Sequence, residues 1–356
     1  MNETSRLSRV LGYMEKEGLS QILVSAPASV YWLTGYWPSP GERLSVLSLD
    51  RDRGIRLFTN SLFAPAVPEN LPTAYHTDDE DPLRDLAAWV KPGKLGIDKF
   101  WYAKFLLGLM AKRPDVTVCP GSGPVDEARM RKDAAEIAAI REASRKNDLV
   151  METAITALRE GVTEKEVIEK VLARYAELGA GGGHGGIAAF GANGADPHHD
   201  CDGTKLKPGD SVVLDLYMPM PRYWCDMTRT VFFGHATQTQ QHVYHLVREA
   251  NEAGEAAIRP GEPLCRSDLA ARKIIEDAGY GPNFFHRTGH GVGLECHEPP
   301  DNGPRELRIA EPGMVFSVEP GIYLAGDFGV RVEDLVLVTE TGCEVLNRYP
   351  KTLITV

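Results

Sequence analysis

Two stretches of the chain repeat one arrangement of turn, strand and carboxylate. Pro208-Gly-Asp-Ser-Val-Val-Leu-Asp215 and Pro312-Gly-Met-Val-Phe-Ser-Val-Glu319 each place an acid seven residues after the proline of a Pro-Gly turn, at the end of an apolar strand. Each then returns, the first through Asp226 and on to Phe233, the second from Gly329 through Glu333 to Val338. A hairpin centred on Met220-Pro221 sets Asp215 opposite Asp226, and one centred on Gly326 sets Glu319 opposite Glu333. Directly opposed residues have Cβ atoms roughly 4.5–5.5 Å apart, where like charges destabilise. An isolated Asp at a strand end is ordinarily a turn residue, and an isolated Glu within a strand a solvated edge. Four acids in two matched hairpins call instead for a cation.

Burial and mutual repulsion both disfavour ionised carboxylates. Two divalent cations would cancel four such charges. A fifth ligand is available in Gly289-His290-Gly291-Val-Gly293, where glycines let the backbone approach and leave an imidazole free. Oxygen-rich ligation with one imidazole suits Mn²⁺, Co²⁺ or Zn²⁺ better than a thiol-seeking ion.

These residues resemble the metallopeptidases that include prolidase, aminopeptidase P and methionine aminopeptidase. The matching text is Asp196-Pro-His198-His, Asp215 with Cys225-Asp226-Met-Thr-Arg-Thr230, His286-Arg-Thr-Gly-His290 through His297-Glu, Ser317-Val-Glu-Pro-Gly-Ile-Tyr323 and Gly329-Val-Arg-Val-Glu-Asp334. Tyr31-Trp-Leu-Thr-Gly35 looks like the amino-terminal domain of the prolidase and aminopeptidase P branch. The resemblance implies an α/β (α+β) chain: a small amino-terminal α/β domain, then a pita-bread catalytic domain with a pseudo-twofold internal repeat. It implies that Asp215, Asp226, His290, Glu319 and Glu333 bind two divalent metal ions, Mn²⁺ foremost, with Asp226 and Glu333 bridging. A hydroxide between the ions would attack the Xaa-Pro bond. Glu319 would carry its proton to the leaving proline nitrogen. His198 and His297 match the two histidines near the scissile amide and the developing oxyanion; His199 is a weaker candidate.

The substrate pocket is less sharply written. Tyr217 stands where the family usually has glycine, and His184 where prolidases commonly have phenylalanine, so proline-ring packing is expected from Phe190, Tyr217 or Phe285, with His286 nearby. A dipeptidase must also recognise the product carboxylate. Arg331 and Arg43 are the expected cations, although Arg331 could instead partner the metal carboxylates. The function these residues imply is cleavage of Xaa-Pro dipeptides. Aminopeptidase P, acting on longer peptides, is the nearer alternative, and a metal-free pseudo-enzyme or binding module of the same fold the more distant one.

The elements that must hold this site divide into two parts. Apolar runs such as Gln21-Ile-Leu-Val-Ser25 and Leu44-Ser-Val-Leu-Ser-Leu49 alternate with helical patterns up to about Val118. Cys119-Pro-Gly-Ser-Gly-Pro124 cannot continue either regular structure, which places the domains at 1–122 and 123–356. Beyond it a long helix is predicted from about Val125 to Leu158, another opened by the capping box of Thr163 and Glu166, and two more at about Thr239 to Ala257 and Asp268 to Ala278. The run Gly181 to Gly186 formally reads G-x-G-x-x-G but lacks the strand and helix of a dinucleotide site.

With 356 residues, two domains are the better prior. A formal net charge of −11 repels phosphate backbones and anionic lipid, which argues against nucleic-acid or membrane partners. No run approaches a membrane span and the first thirty residues lack a signal-peptide core, so cytoplasm is the expected compartment. The six cysteines show no paired spacing and are expected to be reduced. The expected partners are small proline-containing peptides and a second copy of the chain in a homodimer.

Overall fold

In the computed structural model, which describes residues 3–356, the apolar runs near Gln21 and Leu44 become adjacent strands in which every residue is buried. They belong to the first of two units into which the chain divides, Met1–Arg129 and Met130–Val356. Along the first run α1 (Glu3–Lys16), β1 (Gln21–Val24), α2 (Pro27–Thr34), β2 (Ser45–Asp50), β3 (Gly54–Asn60), β4 (Thr73–His76), α3 (Arg84–Trp89), β5 (Gly93–Ile97), α4 (Ala103–Lys112), β6 (Val116–Pro120) and α5 (Gly123–Met130). The sheet order is β4-β3-β2-β1-β5-β6, with β2 antiparallel to both neighbours and the remaining pairs parallel. Leu23, Val46, Phe58, Leu86, Leu95 and Leu109 pack as its core. Tyr31 to Thr34 end α2, which Pro27 opens and Gly35 closes at φ 72°.

The stretch predicted to interrupt regular structure from Cys119 to Pro124 does so only at Gly121 and Ser122. β6 is an edge strand, where Pro120 costs no ladder hydrogen bond. A Cβ at Gly121 would stand 2.6 Å from the Ile97 nitrogen, so the tight exit requires glycine.

The second unit contains α6 (Ala134–Thr156), α7 (Glu164–Glu177), β7 (Ile187–Phe190), β8 (Ser211–Pro219), β9 (Trp224–Phe232), α8 (Gln238–Ala257), α9 (Cys265–Asp277), β10 (Gly289–Gly291), β11 (Glu298–Asn302), β12 (Val315–Val318), β13 (Gly321–Leu324), β14 (Phe328–Arg331), β15 (Asp334–Val338) and β16 (Cys343–Val345). A helix pair followed by an antiparallel hairpin thus occurs twice, α6–α7 with β8–β9 and α8–α9 with β13–β14, as the internal repeat implied. The sheets are β7-β8-β9, β11-β10-β12-β15-β16 and β13-β14. The predicted helix from Val125 to Leu158 is two helices. Asp133 breaks it by capping α6: its carboxylate accepts from the Ala135 and Glu136 N–H groups, and Glu136 returns the bond to the Asp133 N–H. The same device at Thr163 and Glu166 opens α7. No helix among the described residues is long and apolar enough to cross a membrane.

Candidate metal centre

Along β8, Val212, Leu214, Leu216 and Met218 enter the core, and on β9 Cys225, Met227 and Val231 do the same. Side chains alternate across a strand. Asp215 and Tyr217 therefore share the other face with Asp226, Thr228 and Thr230. The predicted pairing of Asp215 with Asp226 is not the observed one. Asp215 pairs with Thr228 and Tyr217 with Asp226, so the two acids lie on a diagonal. The turn is the reason: Met220 to Tyr223 form a four-residue connection closed by the Met220 N–H on the Tyr223 carbonyl at 2.9 Å, which moves the hairpin centre past Pro221.

The second hairpin is centred on Gly326 as predicted, with Gly321 opposite Arg331. Val318 and Asp334 keep the same register in the β12–β15 ladder. Between the two ladders Glu319 and Glu333 leave the hairpin's hydrogen bonding. The Glu319 N–H goes to the Thr288 carbonyl at 2.7 Å and the Glu333 N–H to the Thr228 carbonyl at 3.1 Å. Thr228 Oγ1 also donates to Glu333 Oε2 at 2.7 Å, which ties the first hairpin to the second beside its acid. Arg229, buried beneath, donates to the Glu333 carbonyl at 2.6 Å and to Asp334 Oδ1 at 2.7 Å.

His290 arrives on β10, between β11 and β12. A Cβ at Gly289 would meet the Ser317 carbonyl at 2.0 Å and one at Gly291 the Glu298 carbonyl at 2.3 Å, so both flanks of His290 require glycine. His290 Nε2 lies 3.4 Å from Glu319 Oε1 and 3.8 Å from Asp226 Oδ2. Ligand atoms of Asp226, His290 and Glu333 lie within 4.8 Å of one another, and all three residues are buried. Arg331 Nη2 donates to Asp215 Oδ2 at 2.8 Å, while Asp215 Oδ1 is buried without a hydrogen-bond partner.

The electrostatics fit a missing positive charge. Burial, then the charges of Asp215 and Glu319, push Asp226 well above the usual carboxylate range, and burial followed by Asp226 does the same to Glu333. Burial raises Glu319 to about 7, against the pull of Arg331. Burial and the adjacent His297, its ring centroid 3.9 Å away, hold His290 down to about 3, so the imidazole is neutral and keeps a lone pair to offer. Four acids gathered beside Arg331, with the buried Oδ1 of Asp215 unsatisfied, are the donor set of a hard or borderline divalent ion.

The other predicted residues are placed unevenly. His297 is exposed beside His290. His198 is exposed on a turn whose N–H bonds Asp196, while His199 turns inward to Glu164 at 2.7 Å. That buried carboxylate also accepts from the N–H groups of Phe190 and Asp202 and from Asn193, so it holds the loop. His286 Nε2 shares a 2.9 Å bond with Tyr323 Oη, and burial lowers its pKa to about 4. Tyr217 shares the site's face, its ring 6.4 Å from Trp224. His184 is exposed on the glycine-rich loop.

Two expectations for the substrate pocket change, and a third stays untested. Phe190 pairs with Val212 and packs in the core, on the face of the β7-β8 sheet opposite Asp215. Arg331 is only 3% exposed and is committed to Asp215, Thr228 Oγ1 and Tyr323 Oη, so it partners the acids. Arg43 lies in the first unit, paired through two nitrogens with Asp78 at 2.8 and 2.9 Å. Thr228, Ser317 and Tyr323 were not singled out from sequence. Two of them sit two residues from an acid, the spacing that shares a strand face. Tyr323 joins His286 to Arg331 and is pushed up to about 12 by burial, so it keeps its proton.

Comparison with known proteins agrees with this geometry. Residues 138–340 match Metallopeptidase family M24, and residues 6–131 match the Creatinase/Prolidase N-terminal domain. An uncharacterised peptidase of Staphylococcus aureus (strain bovine RF122 / ET3-1) is 32% identical over 98% of this chain and 100% of its own. Among solved structures, a prolidase from Thermococcus sibiricus is 34% identical with a TM-score of 0.94, covering 100% of both chains. A dipeptidase from Pyrococcus horikoshii OT3 is 33% identical with a TM-score of 0.93, covering 99% of this chain and 100% of that one. With four acids and a histidine converging in a pita-bread catalytic unit, the chain belongs to metallopeptidase family M24.

Proposed function

We propose that this protein hydrolyses the Xaa-Pro bond of dipeptides, with two divalent ions, Mn²⁺ foremost, held by Asp215, Asp226, His290, Glu319 and Glu333. The observation that carries the reading is the convergence of both hairpins at Thr228 and Glu333, around a buried Asp215 oxygen that lacks a partner. The likeness to a dipeptidase and a prolidase over the whole chain supports the substrate class. When bound, the ions supply Lewis acidity toward the scissile carbonyl and make water acidic enough to attack near neutral pH.

The chain's own groups do the rest. Glu319 would take a proton from the attacking water and return it to the prolyl nitrogen, which must be protonated to leave. His297, beside His290, would donate toward the developing oxyanion, and His198 would act at the scissile amide. The hydrogen-bonded series His286, Tyr323, Arg331, Asp215 keeps the acids oriented.

Proline release from Ala-Pro and from Ala-Pro-Ala, measured with metal content on the same preparation, tests this. Turnover of the dipeptide with little of the tripeptide, at two ions per chain, is expected. Equal cleavage of both assigns aminopeptidase P, and activity of metal-depleted protein would sink the dinuclear reading.

A further inference from the structure

Two cavities of the second unit share Arg287, Asp301 and Glu306 in their lining. One, about 290 Å³, is lined by His297, Arg287 and Asp301; the other, about 650 Å³, by His286, Phe285, Arg287 and Asp301. Arg287 Nη1 stands 2.7 Å from Asp301 Oδ1, with 41% and 57% of the two side chains exposed. Among the described residues, Arg287 is the cation common to both cavities, and it follows His286 directly in the chain. The pair, with Glu306, therefore lies between one histidine-lined cavity and the other.

A substrate carboxylate leaving water needs a cation it can reach, because charge-assisted hydrogen bonds are about twice as strong as neutral ones. Drawing Arg331 away from Asp215 would leave a buried carboxylate unpaired, a costly exchange. Arg43 would have to give up its two-nitrogen pair with Asp78. Exposed pairs such as Arg287–Asp301 contribute little to stability, so a ligand carboxylate can replace Asp301 there at small cost. Phe285, 64% exposed in the larger cavity with its ring 5.5 Å from Tyr323, offers a prolyl ring an apolar surface on the same side.

We propose that Arg287 binds the carboxylate at the proline end of the substrate, with the Asp301 pair opening to admit it. This inference rests on the dipeptide reading of the site and names the residue that selects for a free proline end.

Ala-Pro and Ala-Pro amide differ only in that carboxylate, and Arg287 is exposed enough for its variants to fold. In Arg287→Gln, kcat/KM for Ala-Pro is expected to fall on the order of 10- to 100-fold, mainly through KM, with the amide changed less than about threefold. Asp301→Asn should tighten Ala-Pro binding. Equal losses on both peptides in Arg287→Gln, or wild-type protein that treats acid and amide alike, overturn the assignment. So does a selective loss in Arg43→Ala with Arg287→Gln unaffected. If wild type turns over neither peptide, the dipeptidase reading fails, and calorimetric binding of the two peptides still decides the arginine. Equal affinity for the acid in wild type and Arg287→Gln overturns it.

Discussion

Thr228 and Glu333 are joined twice: the Thr228 carbonyl accepts the Glu333 N–H at 3.1 Å, and the Thr228 hydroxyl donates to Glu333 Oε2 at 2.7 Å. The link sets the spacing between the first hairpin's acids and the second's. It also places a hydroxyl, itself accepting from Arg331 Nε at 3.1 Å, between the Glu333 carboxylate and the arginine paired with Asp215.

Thr228→Val keeps the shape and β-branching but removes that hydroxyl. Loss of partners that orient ligands typically lowers metal affinity about 10- to 100-fold, and a stranded Arg331 Nε costs about 1–3 kcal/mol. Calorimetric Mn²⁺ binding and urea unfolding should show both losses, with the fold retained. Unchanged metal affinity would remove Thr228 from the site.

Removing an acid should do the opposite to the metal-free protein. Asp226→Ala or Glu333→Ala is expected to abolish turnover and metal retention while folding normally, because repulsion among buried carboxylates is relieved. Chelation should inactivate wild type reversibly, with recovery on adding Mn²⁺ or Co²⁺. Retention of two ions by either variant, measured by elemental analysis, would refute the ligand assignment.

The raised pKa of Glu319 carries a signed consequence. The folded carboxyl holds its proton to about 7, against an ordinary value of 4.5. It therefore contributes stability to metal-free protein below pH 4.5, and that contribution is lost as pH rises through about 7. Glu319→Gln lacks this dependence. Its stability relative to wild type should grow between pH 5 and pH 8, on the order of 3 kcal/mol at most. Parallel urea denaturation at the two pH values checks this; a constant difference contradicts it.

His297→Ala should lower kcat far more than it raises KM, since an oxyanion donor acts chiefly in the transition state, with a loss of roughly 100-fold. A change confined to KM would make His297 a ground-state contact. His199→Ala should be milder and act on loop order, since Glu164 keeps its three other donors.

The five candidate ligands were legible because each is written in a pattern that only one local geometry satisfies. Acids at the ends of apolar strands must share a face at two-residue spacing, and a histidine between glycines must sit where backbones nearly touch. The helix start at Thr163 was legible from its capping box for the same local reason, whereas the box of Thr237 and Gln240 went unread and that helix was expected to begin near Thr239. The break at Asp133 uses the same device but was hidden inside a continuous helical periodicity.

The sequence by itself indicated the class of chemistry, the two-part organisation and the acids placed at strand ends, since charge, alternation and turn residues are properties of short segments. Tertiary structure decided the rest. The β8–β9 register depended on how many residues the Met220–Tyr223 turn uses, and two residues of slip separate a facing pair from a diagonal one. Phe190 was lost to the core because strand phase in a four-residue strand after a glycine run has too few neighbours to reveal it. Arg331 and Arg287 carry the same charge in similar text, yet one is buried against Asp215 and the other stands exposed between two cavities. Burial comes from residues distant in the chain, so no local pattern records which arginine stays exposed.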